Sequence, residues 1–151
     1  MTEADLKKLL DFGKKSLNAS RQLKSDVNDI KKRTAFAAFT GAMNATRVDT
    51  SKAISNWKIS VNAKNEIQRP AYFLGEGGST KWYSYRLAQR IEYSNLQTAN
   101  PGDVIYVSNH LDYVSEYLNP ADSIVGKSLS QAYYVANASL KLLKNSPTYF
   151  R

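Results

Sequence analysis

The side chains that most often carry out catalysis are sparse in this sequence. There is no cysteine and a single histidine, His110, so we expect neither a thiolate or zinc site nor a Ser-His-Asp arrangement. A lone histidine in a turn usually bonds to solvent or main chain, and we assign it no role. A pair of carboxylates could act in acid-base catalysis only if both lay in one pocket. The acidic residues after Val61 are instead predicted mostly in loops or on helix surfaces: Glu66, Glu76, Glu92, Asp103, Asp112, Glu116 and Asp122. We therefore expect no catalytic residue, no cofactor, no metal and no enzyme activity.

The glycine-rich stretch 75–78 is the candidate for phosphate binding. A phosphate-binding loop needs Gly-Lys followed by Ser or Thr, whereas Ser79-Thr80-Lys81 has the opposite order. We interpret residues 62–80, which show no clear period, as a flexible arm that becomes ordered against a neighbouring subunit. Apolar residues on that segment are candidates for the contact: Tyr72, Phe73 and Leu74.

Basic residues dominate the charge of the chain. The formal charge is +8, from 21 basic and 13 acidic residues, so the surface should attract polyanions or acidic proteins. Lys7, Lys14 and Arg21 recur every seven residues and form a stripe on one side of a predicted helix. The stripe is open to three interpretations: a solvated face, a lining that faces DNA, or a surface that docks on an acidic partner. No base-reading signature accompanies it, so sequence-specific recognition is not expected.

The helices that position these residues are predicted from the spacing of apolar side chains. A long N-terminal helix ends near Ala45 and should span roughly 60 Å, so part of it must project or bend, with Gly13 and residues 18–20 as the weakest points. Its alanine-rich end, 35–45, is interpreted as core on which the sheet packs closely. Three further helices are predicted at 80–98, with Tyr83, Leu87, Ile91 and Ser94 on its stripe, at 111–117, and at 123–144, where the pattern is amphipathic.

Two strands are predicted between the helices. Trp57, Ile59 and Val61 alternate with polar residues, which is typical of a strand with one buried face, and we expect Trp57 to be largely buried. Residues 104–108 are apolar on both faces, which predicts a central strand. The fold class is α+β: a small sheet packed against helices, in one domain over 1–151. Its parts are a helical segment 1–45, a sheet core 46–110 and a helical part 111–151.

Two segments resemble a known family. The stretch 48–57 is similar to the signature of the tail-completion, or head-to-tail joining, proteins of tailed bacteriophages, which include proteins like minor tail protein Z. The family pattern is Val-Asp-Thr-Gly, a basic residue, then Ser-Asn-Trp and a short strand. Ser51 stands where the family has glycine, and serine tolerates a positive φ less well. The matching residues are Val48, Asp49, Thr50, Lys52, Asn56 and Trp57.

The second segment is 102–118, which is similar to the family's second strand and the Asn-Asn-Leu-Pro-Tyr that follows it. Asn109, Leu111 and Tyr113 match this pattern, while His110 and Asp112 depart from it. The order and separation of the two segments also fit the family. Together they cover under a third of the chain.

The resemblance implies a structural neck protein of the virion, made in the host cytoplasm. It implies a homo-oligomeric ring, sixfold or twelvefold, that joins the portal or head-tail adaptor protein to the tail tube or tail terminator protein. Double-stranded DNA would pass through the channel of this ring. No segment is apolar enough to predict a membrane span. The alternative, based on the basic helix alone, is a sequence-independent DNA-binding or packaging accessory protein.

Overall fold

A computed structural model describes residues 3–47, 50–114 and 121–145, and the side chains of 121–123 are not included in the description. The predicted α+β class is confirmed. The elements in chain order are helix α1 (Glu3–Ala45), helix α2 (Lys52–Ser55), strand β1 (Lys58–Val61), helix α3 (Lys81–Gln97), strand β2 (Ile105–Ser108) and helix α4 (Ala121–Lys144). Of the predicted helix at 111–117, residues 115–117 lie outside the described residues.

The long N-terminal helix is confirmed, and it is continuous. Its 43 residues span about 65 Å. Gly13 and the 18–20 stretch do not interrupt it, because a single glycine costs a helix only about 1 kcal/mol, less than is needed to break a well-formed element. The helix projects as expected, since burial begins only near Asp26.

The alanine-rich end of α1 forms core as predicted, but the close approach there is to a helix. Phe39 and Met43 are fully buried, and α4 makes the main contact with α1. A Cβ on Gly41 would lie 3.0 Å from Ser128 Cα, so the two backbones nearly touch. Ser128 Oγ also donates a hydrogen bond to Ala38 O at 2.7 Å. The small residues of α1 therefore serve mainly the packing against α4, while the expected contact with the sheet is also present, through β2.

The apolar pattern of α4 matches its packed face only in part. Of the residues that trace the predicted stripe, Ala132, Ala136 and Leu143 are half-buried, whereas four are exposed, namely Val125, Leu129, Tyr133 and Leu140. The contact with α1 uses smaller residues such as Ser128, and Ile124 joins a buried cluster with Ala42, Ala45 and Ala53. The predicted bounds of this helix agree with Ala121–Lys144 to within two residues.

The described part of the chain contains one sheet, of two antiparallel strands. Lys58 lies opposite Ser108, and Val61 lies opposite Ile105. The prediction of a central strand at 104–108 was therefore wrong: β2 pairs with β1 alone, and all its residues are half-buried. Its apolar residues on the helix side, Ile105 and Val107, pack against the core formed by α1 and α3.

The predicted burial of the first strand also needs correction. Trp57 precedes β1 and is half-buried, packing against both core clusters, while its Nε1–H donates to Thr46 Oγ1 at 2.9 Å. Lys58, which the alternation placed on a wet face, is buried. Its Nζ reaches Asn65 Oδ1 at 3.3 Å, because the segment 62–80 folds back over that side of the strand.

Helix α3 turns a different stripe inward from the predicted one. The buried residues recur at intervals of four: Ser84, Ala88, Glu92 and Leu96. Tyr83 and Ser94 are exposed, and Leu87 and Ile91 are half-buried. Ser84 and Ala88 are small, so this face approaches the sheet more closely than the aromatic residues beside it would allow.

Candidate functional site

The most distinctive surface is the first half of α1, residues 3–25, which we call the projecting helix. Every one of these residues is exposed. At about 1.5 Å per residue the segment extends roughly 35 Å beyond the packed part of the molecule. A single helix with no packing partner contributes little to a folded core, so this segment is suited to contact with another molecule.

The basic stripe predicted from the sequence lies on this projecting helix. Lys7, Lys14 and Arg21 are all exposed. Further along α1 the lysines turn to the domain instead: Lys31 Nζ donates to Asn100 O and Asp103 O, each at 2.9 Å, and Lys32 Nζ donates to Gln97 O at 3.2 Å. The free part of the basic stripe therefore ends where the domain begins.

The projecting helix also exposes large apolar side chains. Apart from Phe12, they belong to the helical spacing that predicts α1, but spacing does not tell whether another element covers that face. Their exposed fractions run from 43% to 72%: Leu6, Leu9, Leu10, Phe12, Leu17 and Leu23.

The two segments that resemble the phage family are brought together around α2. Asn56 follows α2 and is buried. Its amide donates to Lys52 O and Arg69 O, and its Oδ1 accepts from the main-chain N–H of Arg69 at 2.8 Å. Asn109 follows β2 and donates to Ala53 O at 2.9 Å. Both asparagines thus fix α2 to other parts of the fold, which is a positioning role.

The turn before α2 has the geometry that the glycine in the family pattern would suit. Ser51 adopts φ 62° and ψ −1°, in the left-handed region that glycine adopts most readily. Its hydroxyl lies 2.8 Å from Thr80 Oγ1 and its carbonyl accepts from Ser55. Thr50 is exposed, and Val48 and Asp49 lie outside the described residues.

The aromatic residues of the two segments also converge. Trp57 and Tyr113 are both half-buried against the cluster that contains Leu111 and Val114. Burial raises the pKa of the Tyr113 hydroxyl. Trp57 and Tyr113 thus connect the sheet to residues 111–114, which follow β2.

The segment 62–80 contains no helix or strand, but hydrogen bonds attach several of its residues to the domain, among them Asn62, Arg69 and Tyr72. The Tyr72 main-chain N–H donates to Ser55 Oγ at 2.9 Å, and its ring packs against the core, so Tyr72 is unsuited to the intermolecular contact predicted for it. Leu74 is 84% exposed and Phe73 is 43% exposed, so these two candidates remain accessible.

A buried polar cluster under this segment was missed by the sequence analysis, which placed Glu92 on a surface. Glu92 is fully buried and forms an ion pair with Arg69, with Nη2 and Oε1 2.8 Å apart. Its other oxygen accepts from the main-chain N–H of Ile59 at 2.7 Å and from Asn95. Arg69 also donates to the Tyr72 hydroxyl. The interval of four from Ala88 to Glu92 to Leu96 was the available signal.

Burial, followed by the charges of this cluster, shifts the pKa values of Lys58 and Tyr72. Burial lowers the pKa of Lys58, and nearby Arg69 lowers it further, while Glu92 acts in the opposite direction. Burial has the opposite effect on an acid and raises the pKa of the Tyr72 hydroxyl. Both oxygens of Glu92 are occupied by hydrogen bonds, so this arrangement ties the 62–80 segment to β1 and α3 and is poorly suited to proton transfer.

Two further properties bear on function. Among the described residues, no group of three or more His, Cys, Asp or Glu side chains is placed to hold a metal ion. Within the same ranges, no helix combines the length and apolar character needed to cross a membrane.

Comparison with known proteins identifies no relative. No protein-family model, curated protein or solved structure matches this chain.

Proposed function

We propose that this protein is a structural subunit of a tailed-phage neck, which forms a ring between the portal or head-tail adaptor and the tail. The observation that carries the proposal is the projecting helix, whose residues 3–25 are all exposed. A helix that extends about 35 Å from its domain with basic and apolar side chains uncovered is an element for assembly. The resemblance around Asn56 and Asn109 selects the neck among the possible assemblies.

The proposed role is mechanical and not catalytic. In a ring each copy makes the same heterologous contact with the next, and the projecting helix reaches beyond the subunit toward an adjacent component. Phe73 and Leu74 offer a second exposed contact on the same subunit. Positive charge around a central channel is compatible with the passage of DNA phosphate.

Complementation of a gene deletion tests the proposal. A tailed phage that encodes this chain should accumulate separate heads and tails when the gene is deleted, and the wild-type gene should restore joined particles. Lys7→Glu, Lys14→Glu and Arg21→Glu together should reduce joined particles at least about tenfold, because the reversed charges repel an acidic surface or DNA. The matched control keeps the charge: Lys7→Arg, Lys14→Arg and Arg21→Lys.

The outcome separates the neck role from the DNA-binding alternative. Exposed charges contribute little to stability, so the reversed variant should fold and melt as the wild type does. Normal yields of joined particles from that variant would contradict the proposal. A deletion that leaves heads unfilled, together with steeply salt-dependent binding of free duplex DNA by the isolated chain, would favour the packaging accessory protein.

A further inference from the structure

The apolar and basic side chains of the projecting helix are arranged in a definite order around its axis. At about 100° per residue, Phe12 and Leu10 bound an apolar arc of roughly 160° that contains Leu6, Leu9 and Leu17. Gly13, Ser16 and Ser20 lie near the middle of the arc. Asp5 and Lys24 are the charged residues inside the arc, and they lie near the N-terminal and C-terminal ends of the projecting helix.

Basic residues border this arc on both sides. Lys7, Lys14 and Arg21 follow Leu10 around the helix, while Lys8 and Lys15 lie beyond Phe12. The projecting helix is therefore a cationic amphipathic helix with an uncovered apolar face. A complementary surface must supply apolar side chains at its centre and carboxylates at its edges.

The arc continues the face of α1 that α4 already covers. Along the helix, Ser20, Leu23 and Val27 lead at intervals of three and four to Ile30 and then to Ala38 and Gly41, which lie against α4. The small residues in the arc permit the same close approach between backbones that Gly41 permits with Ser128. The uncovered face thus has the character of a helix–helix contact whose second helix is missing.

We infer that residues 6–23 of α1 dock in an apolar groove with an acidic rim on a different protein, formed at least in part by a helix. A second copy of this chain is disfavoured, because its own flanks carry the same basic residues and would repel. An arc of roughly 160° is also wider than the seam of a two-stranded coiled coil. This inference rests on the proposed function and specifies the chemistry of the partner there.

Calcium-loaded calmodulin serves as a probe, because it offers an apolar groove that accepts basic amphipathic helices. Titration calorimetry with the full chain should show binding. Leu6→Ser, Leu10→Ser and Leu17→Ser together, and separately Lys7→Glu, Lys14→Glu and Arg21→Glu, should each weaken it at least about tenfold. The control variant Asn18→Ser with Gln22→Ser changes the opposite face of the same helix and should bind as the wild type does.

Three results would overturn the inference. The leucine variant could keep the wild-type affinity for calmodulin. The isolated chain could form oligomers in sedimentation equilibrium that the leucine variant abolishes, which would make a second copy the occupant. Vesicles of phosphatidylserine and phosphatidylcholine could bind the chain at physiological salt while calmodulin does not, which would identify a lipid surface.

The two proposals fail in different experiments. If calmodulin binding is absent but the charge-reversed variant still loses joined particles, the groove is wrong and the neck function stands. If calmodulin binding follows the expected order but joined particles form normally, the docking chemistry stands and the neck function is wrong.

Discussion

At the scale of single residues, Ser51 stands where the pattern that this chain resembles has glycine, and its backbone adopts a conformation that favours glycine. A φ of 62° places its backbone in the left-handed region, which costs a residue with a Cβ about 1 to 2 kcal/mol. The hydrogen bond to Thr80 offsets part of this cost, because such a bond contributes about 1 kcal/mol. The turn therefore keeps glycine-like geometry with a different residue.

Substitutions at this position should separate the two effects. Ser51→Gly relieves the backbone and loses the hydroxyl, so its free energy of unfolding should stay within about 1 kcal/mol of the wild type. Ser51→Val loses the hydroxyl and adds a β-branched side chain at positive φ, and should be destabilised by at least about 2 kcal/mol. Urea titration of both variants measures the difference, and equal stabilities would show that the left-handed turn is not retained.

Asp103 provides a test of pH dependence. It accepts from the Asn62 amide at 2.9 Å and from the main-chain N–H of Asn100 at 2.7 Å, and these bonds, with Lys31 nearby, hold the pKa of its carboxyl below the ordinary 3.8. Because the folded pKa is depressed, the stabilisation is present above pH 3.8 and is lost as the pH falls through the folded pKa.

Asp103→Asn removes this titration. The difference in free energy of unfolding between wild type and variant should shrink as the pH falls from about 5 to about 2. Chemical denaturation at several pH values measures it. A difference that stays constant over that range would mean that the charge of Asp103 does not strengthen these hydrogen bonds.

At the scale of the elements, the close contact between α1 and α4 depends on the glycine at position 41. In Gly41→Ala the new methyl group would lie 3.0 Å from Ser128 Cα and 3.1 Å from Lys127 O, both backbone atoms. The helices must then separate, which should cost about 1 to 3 kcal/mol. Gly13→Ala is the matched control, since nothing lies within 4 Å of its Cβ and alanine favours the helix. Thermal melts should show a loss for the first variant only.

The elements were easier to predict from the sequence than the faces they bury. Long apolar periodicity gave α1 and α4, because both are many turns long. It failed in α3, where aromatic residues occur around the helix and the packed stripe is marked by Ser84, Ala88 and Glu92. The interval of four from Ala88 through Glu92 to Leu96 is a local sign that Glu92 is buried, but its ion-pair partner Arg69 is 23 residues away in a segment with no period, so no local pattern identifies the pair.

At the scale of the whole molecule, the sequence predicted a helix too long for its domain but not which half would project. Nothing in the spacing of Leu6, Leu10 and Leu17 distinguishes them from residues that α4 covers, since that difference depends on where α4 lies. The exposed apolar face of the projecting helix can therefore be identified only from the fold, whereas the basic stripe beside it is already apparent in the sequence.

The projecting helix should be separable from the stability of the domain. The packed half of α1 acts as a nucleus from which the exposed half continues as a helix, so residues 3–25 need no packing partner to be helical. They also contribute no buried side chain to the core. Deleting residues 1–25 should leave the free energy of unfolding within about 0.5 kcal/mol of the wild type while the helical circular dichroism signal falls.

A longer deletion, of residues 1–32, is the control for that result. It also removes buried Asn28, which donates to Ala99 O at 3.2 Å, and Lys31, which donates to Asn100 O and Asp103 O. With the bond from Lys32 to Gln97 O, four hydrogen bonds to the domain should then be lost. At about 1 kcal/mol for each buried bond and less for the exposed ones, denaturant titration should show a drop of at least about 2 kcal/mol. If the shorter deletion caused a comparable drop, the projecting helix would be part of the folding unit, and its exposed apolar face could no longer be assigned to a partner alone.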